Sequence, residues 1–252
     1  MIFDGAALKF IRDSTRQHWG QVRLLAHKPN DFDYKINKNS INFKSKDFKN
    51  KFDGLIEIKP FYLTANFYYD GLSSRNFFNE ESFLVDLIKS EIFKNKNLNS
   101  NLKFNIKNIT NIAELNNLFL NIDVKEGDIE LSNSSIMWKE DLKISLEECI
   151  LNYDGNQINL DGKITLDFID IENFYRSFQI KKKNRAKIEK IELYFVYDFN
   201  QNLMSFSNPR IDDSPNLKIE NYFEDFNEND KREFNKVKFK NFVSNFFDIY
   251  AG

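Results

Sequence analysis

Apolar and polar residues alternate with a period of two through the middle of the chain. Leu102, Phe104 and Ile106 are interleaved with Lys103, Asn105 and Lys107, and Leu118, Leu120, Ile122 and Val124 with Phe119, Asn121 and Asp123. Successive side chains of a strand point to opposite faces, so these runs predict strands with one apolar face. The pattern recurs at Ile129 and Leu131, at Leu142, Ile144 and Leu146, at Ile158 and Leu160, and at Ile164, Leu166 and Phe168. Between the runs stand Glu126-Gly127-Asp128, Lys139-Glu140-Asp141, Tyr153-Asp154-Gly155-Asn156 and Asp161-Gly162, which supply turn chemistry. Connections this short leave no room for a crossover helix, so the segment 98–169 is expected to be an antiparallel meander. Gly20 to His27, Ser40 to Phe48 and Phe52 to Tyr69 read as earlier strands, those before residue 50 at a sheet edge. Pro60 lacks the donor of a central ladder and is expected at an edge or a bulge. Lys187 to Phe199 and Asn202 to Ile211 read as a hairpin about Asn200-Gln201.

Three segments carry helical spacing instead. In 79–93, Phe83, Leu84, Leu87, Ile88 and Ile92 share a face, with Asn79 as N-cap and Glu80 and Glu81 in the first turn. In 170–178, Ile171, Phe174, Tyr175 and Phe178 share a face behind the N-cap Asp170. In 230–250, Phe234, Val237, Phe239, Phe242, Val243, Phe246, Phe247 and Tyr250 predict a terminal helix, with a short strand at Lys236 to Phe239 before it. The polar stretch Asp212 to Asp225 reads as a loop. The expected fold class is therefore mainly β: a curled antiparallel β-meander, a trough or half-open β-taco, with about three peripheral α-helices, forming one domain over residues 1–252.

Composition narrows the chemistry. The chain has 252 residues, 41% of them hydrophobic, with 27 Phe, 8 Gly, 4 Pro and 1 Cys, which is a folding composition without Gly-rich phosphate loops or Pro-rich linkers. Lys and Arg number 36 against 38 Asp and Glu, so no net field recruits nucleic acid. The single Cys149 forbids an intrachain disulfide and a Cys-rich metal site, and in its alternating run it reads as a small hydrophobe. His18 and His27 have neither metal-ligand spacing nor a partner nucleophile, and adjacent acids such as Glu147-Glu148 point to opposite faces. No enzyme activity, cofactor or metal is expected. No uncharged apolar run approaches the roughly 20 residues of a membrane span, and the charged N-terminus is no signal peptide, so the chain as it stands is expected to be soluble and untargeted.

An apolar sheet face needs a cover, and three short helices can shield only part of a wide sheet. Either the sheet closes on itself as a sandwich, a structural or interaction module, or it curls into a trough for acyl chains. At about 0.8 kcal/mol per methylene, a 16-carbon chain in water is worth about 13 kcal/mol of burial. The candidate trough residues are Leu102, Phe104, Ile106, Leu118, Leu120, Ile122, Ile129, Leu131, Leu142, Ile144, Leu146, Ile158, Leu160, Ile164, Leu166 and Phe168. After the aromatic segment DIENFYRSFQI, the cations Lys181, Lys182, Lys183, Arg185 and Lys187 are candidate contacts for anionic headgroups.

The order FDGLIEIKPFYLTANFYYDGL, then IKSEIFKNKNLNSNLKFNIKNI, then IDVKEGDIELSNSSIMWKEDLKISLEECILNYDGNQINLDGKITLDF resembles the C-terminal region of bacterial AsmA-like proteins of AT-rich alphaproteobacterial genomes. The shared motifs are G-x-I-x-x-K-P-F at Gly54–Phe61, EGxIxLxxSxIxWK at Glu126–Lys139, L-x-G-x-I-x-L-D at Leu160–Asp167, and NFYRSFQ at Asn173–Gln179, over roughly residues 50–250. The resemblance implies a periplasmic envelope protein, anchored in the inner membrane by a helix this chain lacks. It implies a sheet trough that conducts phospholipid toward the outer membrane, acyl chains, membrane surface and envelope proteins as partners, and no catalytic residues.

Overall fold

The computed structural model describes residues 9–12, 18–22, 30–46, 50–73, 96–110, 112–154, 157–201, 203–229 and 236–251. The fold is mainly β and mostly antiparallel, with three α-helices among the described residues. Its contacts divide it into two compact units, Met1–Ala113 with Asn117–Glu130, and Glu114–Asn116 with Leu131–Gly252. The expected helix at 79–93 lies outside the described residues, as do residues 230–235 of the expected terminal helix.

The first unit carries β1 (Lys9–Arg12), β2 (His18–Val22), β3 (Asn30–Ile36), β4 (Ser40–Ser45), β5 (Asn50–Ile58), β6 (Phe61–Tyr69), β7 (Asn99–Asn108), β8 (Leu115–Lys125, from Asn117 onward) and β9 (Asp128–Glu130). Each of β1 to β6 pairs antiparallel with the next. Between β6 and β7 the pairing is parallel, from Tyr62 opposite Asn99 to Tyr69 opposite Ile106. Pro60 lies in neither an edge strand nor a bulge: it occupies the turn of the β5–β6 hairpin, after a cis Lys59–Pro60 bond, where no ladder donor is required. The β8–β9 hairpin turns at Glu126 and Gly127, φ 54° and 101°, the left-handed pair that a two-residue hairpin loop needs. One face buries a row of rings across the strands, Phe32, Phe52, Phe67 and Phe104, with centroids 6.0, 6.3 and 4.7 Å apart in turn. Phe43 joins the row by lying over Gly54, whose missing Cβ makes the space for its ring.

The second unit is built on β10 (Ser134–Trp138), β11 (Leu142–Asp154), β12 (Gln157–Phe168), β13 (Lys190–Asp198), β14 (Leu203–Ile211) and the short β15 (Ser214–Pro215), each antiparallel to its predecessor. After β12 comes α1 (Ile171–Phe178), capped as expected by Asp170, whose Oδ1 accepts the Asn173 N–H at 2.9 Å. α2 (Leu217–Asn229) and α3 (Lys236–Ala251) follow β15.

Three expectations in this unit are corrected. Asp161-Gly162 is not a turn but the middle of β12, because Gly162 sits opposite a bulge in β11. Asp212 to Asp225 is not a loop: it holds β15 and most of α2. There Asn216 caps the Ile219 N–H at 3.1 Å, while Ile219 and Phe223 point to the core. Lys236 to Phe239 is the first turn of α3 rather than a strand.

Candidate functional site

The bulge in β11 decides which residues face inward. Leu142, Ile144 and Leu146 stand opposite Phe168, Leu166 and Ile164. The register then shifts between Glu147 and Ile150, with Glu148 at φ 52°. One extra residue reverses the parity of the strand. Cys149 and Leu151 are thereby buried on the face of Leu142, while Ile150 turns outward, 47% exposed. Cys149 packs against the bare Cα of Gly162, and burial pushes its thiol up to about 11, which leaves it inert.

On this face the helices converge. From α1, Phe174 meets Phe168 edge-on at 5.2 Å, and Tyr175 meets Phe247 of α3 edge-on at 4.9 Å. The fully buried Tyr175 donates its hydroxyl to the Ala186 carbonyl at 2.6 Å, and burial holds that hydroxyl far above the usual tyrosine range. In α2, Phe223 stacks on Phe242 of α3 at 5.9 Å. Asn227 pins α2 to the sheet by accepting from the Phe206 N–H at 3.0 Å and donating to the Phe206 carbonyl at 2.8 Å. At the start of β11, the buried Asp141 accepts from the side chain of Asn173 at 2.6 Å, and its carbonyl accepts the N–H groups of Ile169 and Asp170. That knot fixes α1 against the β10–β11 turn.

Between helices and sheet remains a cavity of about 210 Å³ with no polar surface. Its sheet side is Leu142 and Ile144 of β11, Ile164, Leu166 and Phe168 of β12, Ile191 and Leu193 of β13, and Met204 and Phe206 of β14; Phe174, Phe223, Phe242, Val243, Phe246 and Phe247 form the helical side. Five candidate trough residues thus line one cavity: Leu142, Ile144, Ile164, Leu166 and Phe168. They are covered by helices rather than open along a channel. Leu131, Ile158 and Leu160 are buried elsewhere in the same unit, and Leu146 is half-buried. In the first unit Phe104, Ile106, Leu120, Ile122 and Ile129 are buried, with Leu102 and Leu118 half-buried. The alternation found the sheet wall of the cavity as far as β12. It missed the α2 side, though Ile219, Tyr222, Phe223 and Phe226 have helical spacing behind Asn216, because the surrounding Asp, Glu and Asn masked it.

The basic segment is largely engaged with the protein itself. Arg185 bonds the Ile180 carbonyl at 3.1 Å, pairs with Glu172 at 3.2 Å and lies over the Tyr175 ring. Lys181 approaches Asp248 at 4.0 Å and Lys187 pairs with Glu189 at 3.4 Å. Lys182 and Lys183 lie exposed on the short 3-10 turn Lys182–Asn184. Among the described residues no cluster of His, Cys, Asp and Glu could hold a metal, and no helix is long and apolar enough to cross a membrane.

No known protein family, curated protein or solved structure matches this chain.

Proposed function

We propose that the chain is a non-enzymatic lipid-binding segment whose second unit takes up part of an acyl chain in the cavity between β11–β14 and the three helices. The observation that carries this reading is a void walled only by apolar side chains. An apolar cavity of roughly 150 Å³ stays dry and admits benzene, so one of about 210 Å³ is suited to a short hydrocarbon length. Ligand pockets for whole drug-sized molecules span about 300–1,000 Å³. The cavity therefore accommodates the end of a chain rather than a whole phospholipid. The motif order shared with AsmA-like proteins supports the same reading and extends it to a periplasmic envelope location and phospholipid as the ligand. Lys182 and Lys183, the two cations of the basic turn that make no ion pair among the described residues, would meet anionic headgroups.

One observation favours a second reading, a closed interaction module. The helices seal the sheet face with ring contacts from α1, α2 and α3, as a finished core does. Displacement of a fluorescent fatty acid separates the two. The lipid reading predicts saturable binding by the wild type and its loss in Ile144→Asp and Leu166→Asp, each of which puts a carboxylate into the cavity at a desolvation cost of several kcal/mol. Circular dichroism should report intact strands in both. A wild type that binds no fatty acid would favour the closed module.

A further inference from the structure

The first unit holds a pocket that differs in character from that apolar cavity. It has a volume of about 590 Å³, within the range of small-molecule sites, and lies where β5 and β8 begin and β6 and β7 end. The sheet register assembles one side of it. Lys51 stands opposite Tyr68, and Tyr68 stands beside Asn105 in the parallel pair, so an ammonium, a phenol and an amide form one row across three strands. Lys107, two residues past Asn105, adds a second ammonium on the same face. Strands lie about 4.8 Å apart, which places the two lysine strands roughly 10 Å from each other and lets both flexible side chains reach a common ligand. Tyr68 is 42% exposed and available for contact. On the same face Phe119 of β8, half-buried and two residues before the Asn121 that bonds Asn101 of β7, supplies an apolar wall.

Charge is what gives the pocket a direction. Asp70 is also in the wall, yet it makes no ion pair with Lys51 or Lys107, and neither lysine pairs with any other acid among the described residues. Two cations share one concavity with a single acid, Asp70, among the described residues of its wall, so an anion that bridges them gains from both.

We infer that this pocket binds an anionic amphiphile, a phosphate or carboxylate head set between Lys51 and Lys107 with its apolar body on the rings of Tyr68 and Phe119. The inference stands on the first unit alone and does not depend on the cavity of the second. Calorimetric titration with dodecyl phosphate below its micelle concentration tests it, beside inorganic phosphate and the uncharged dodecyl maltoside. Dodecyl phosphate should bind with its Kd raised on the order of tenfold in Lys51→Gln/Lys107→Gln and also raised by added salt. Leu166→Asp should leave that lysine-dependent binding in place, which separates this site from the acyl cavity. Inorganic phosphate binding as tightly as the alkyl phosphate would overturn the amphiphile assignment. Binding unchanged by the double lysine substitution, or equal binding of the maltoside, would overturn the site.

Discussion

Gly162 shows at the scale of one residue why a turn signal became the centre of a strand. Gly in a strand interior marks a close backbone approach, and here a Cβ at position 162 would stand 2.6 Å from the Cα of Cys149. The alternation Ile158, Leu160, Gly162, Ile164 in fact continues unbroken through this residue, whereas the bulge that makes it necessary is on the partner strand and leaves no local mark in the sequence. Gly162→Ala should cost about 1–3 kcal/mol, the range for overpacking a core, seen as a lower denaturation midpoint; an unchanged midpoint would contradict the close packing. On the outer face, Glu192 accepts from Lys163 at 2.7 Å and pairs with Lys190 at 3.3 Å. These bonds, that of Lys163 first, hold the Glu192 carboxyl below its ordinary value and push Lys163 up. A carboxyl depressed in the folded state contributes stability that is present above its unfolded pKa, about 4.3, and is lost as pH falls through the folded value. Urea melts should therefore show a smaller stability loss between pH 7 and pH 3 for Glu192→Gln than for the wild type. Equal losses would show that the pair contributes nothing.

At the scale of elements, the strands were legible because a half-buried sheet needs period-two patterning, and Asp170 marked the start of α1 by its capping chemistry. α2 was obscured because its buried stripe is narrow and its remaining faces are acidic and amide-rich, so the segment reads as a loop. The parallel β6–β7 pair was not legible either, since a crossover depends on what joins the strands rather than on the strands themselves. What holds α2 to β14 is the amide of Asn227 acting on both backbone groups of Phe206. Asn227→Leu keeps the bulk but strands a half-buried N–H and carbonyl, at about 1–3 kcal/mol. Hydrogen exchange should show faster opening at Phe206 and along α2 than in β11 and β12. Uniform exchange across the unit would contradict this pinning role.

At the scale of the whole molecule, each unit buries one face of its strands, but with different contents. The first fills its face with a row of phenylalanine rings, and the second leaves an apolar space between sheet and helices. Sequence alternation identified the sheet wall of that space at Leu142, Ile144, Ile164, Leu166 and Phe168, yet it could not show that helices close it, because a cover built from distant segments has no local signature. Whether this space holds hydrocarbon can be read from native mass spectrometry of the purified chain. A mass shift corresponding to bound fatty acid or phospholipid is expected in the wild type, with its depletion in Leu166→Asp; a wild-type spectrum of bare protein, unchanged after incubation with lipid, would contradict a lipid-holding cavity.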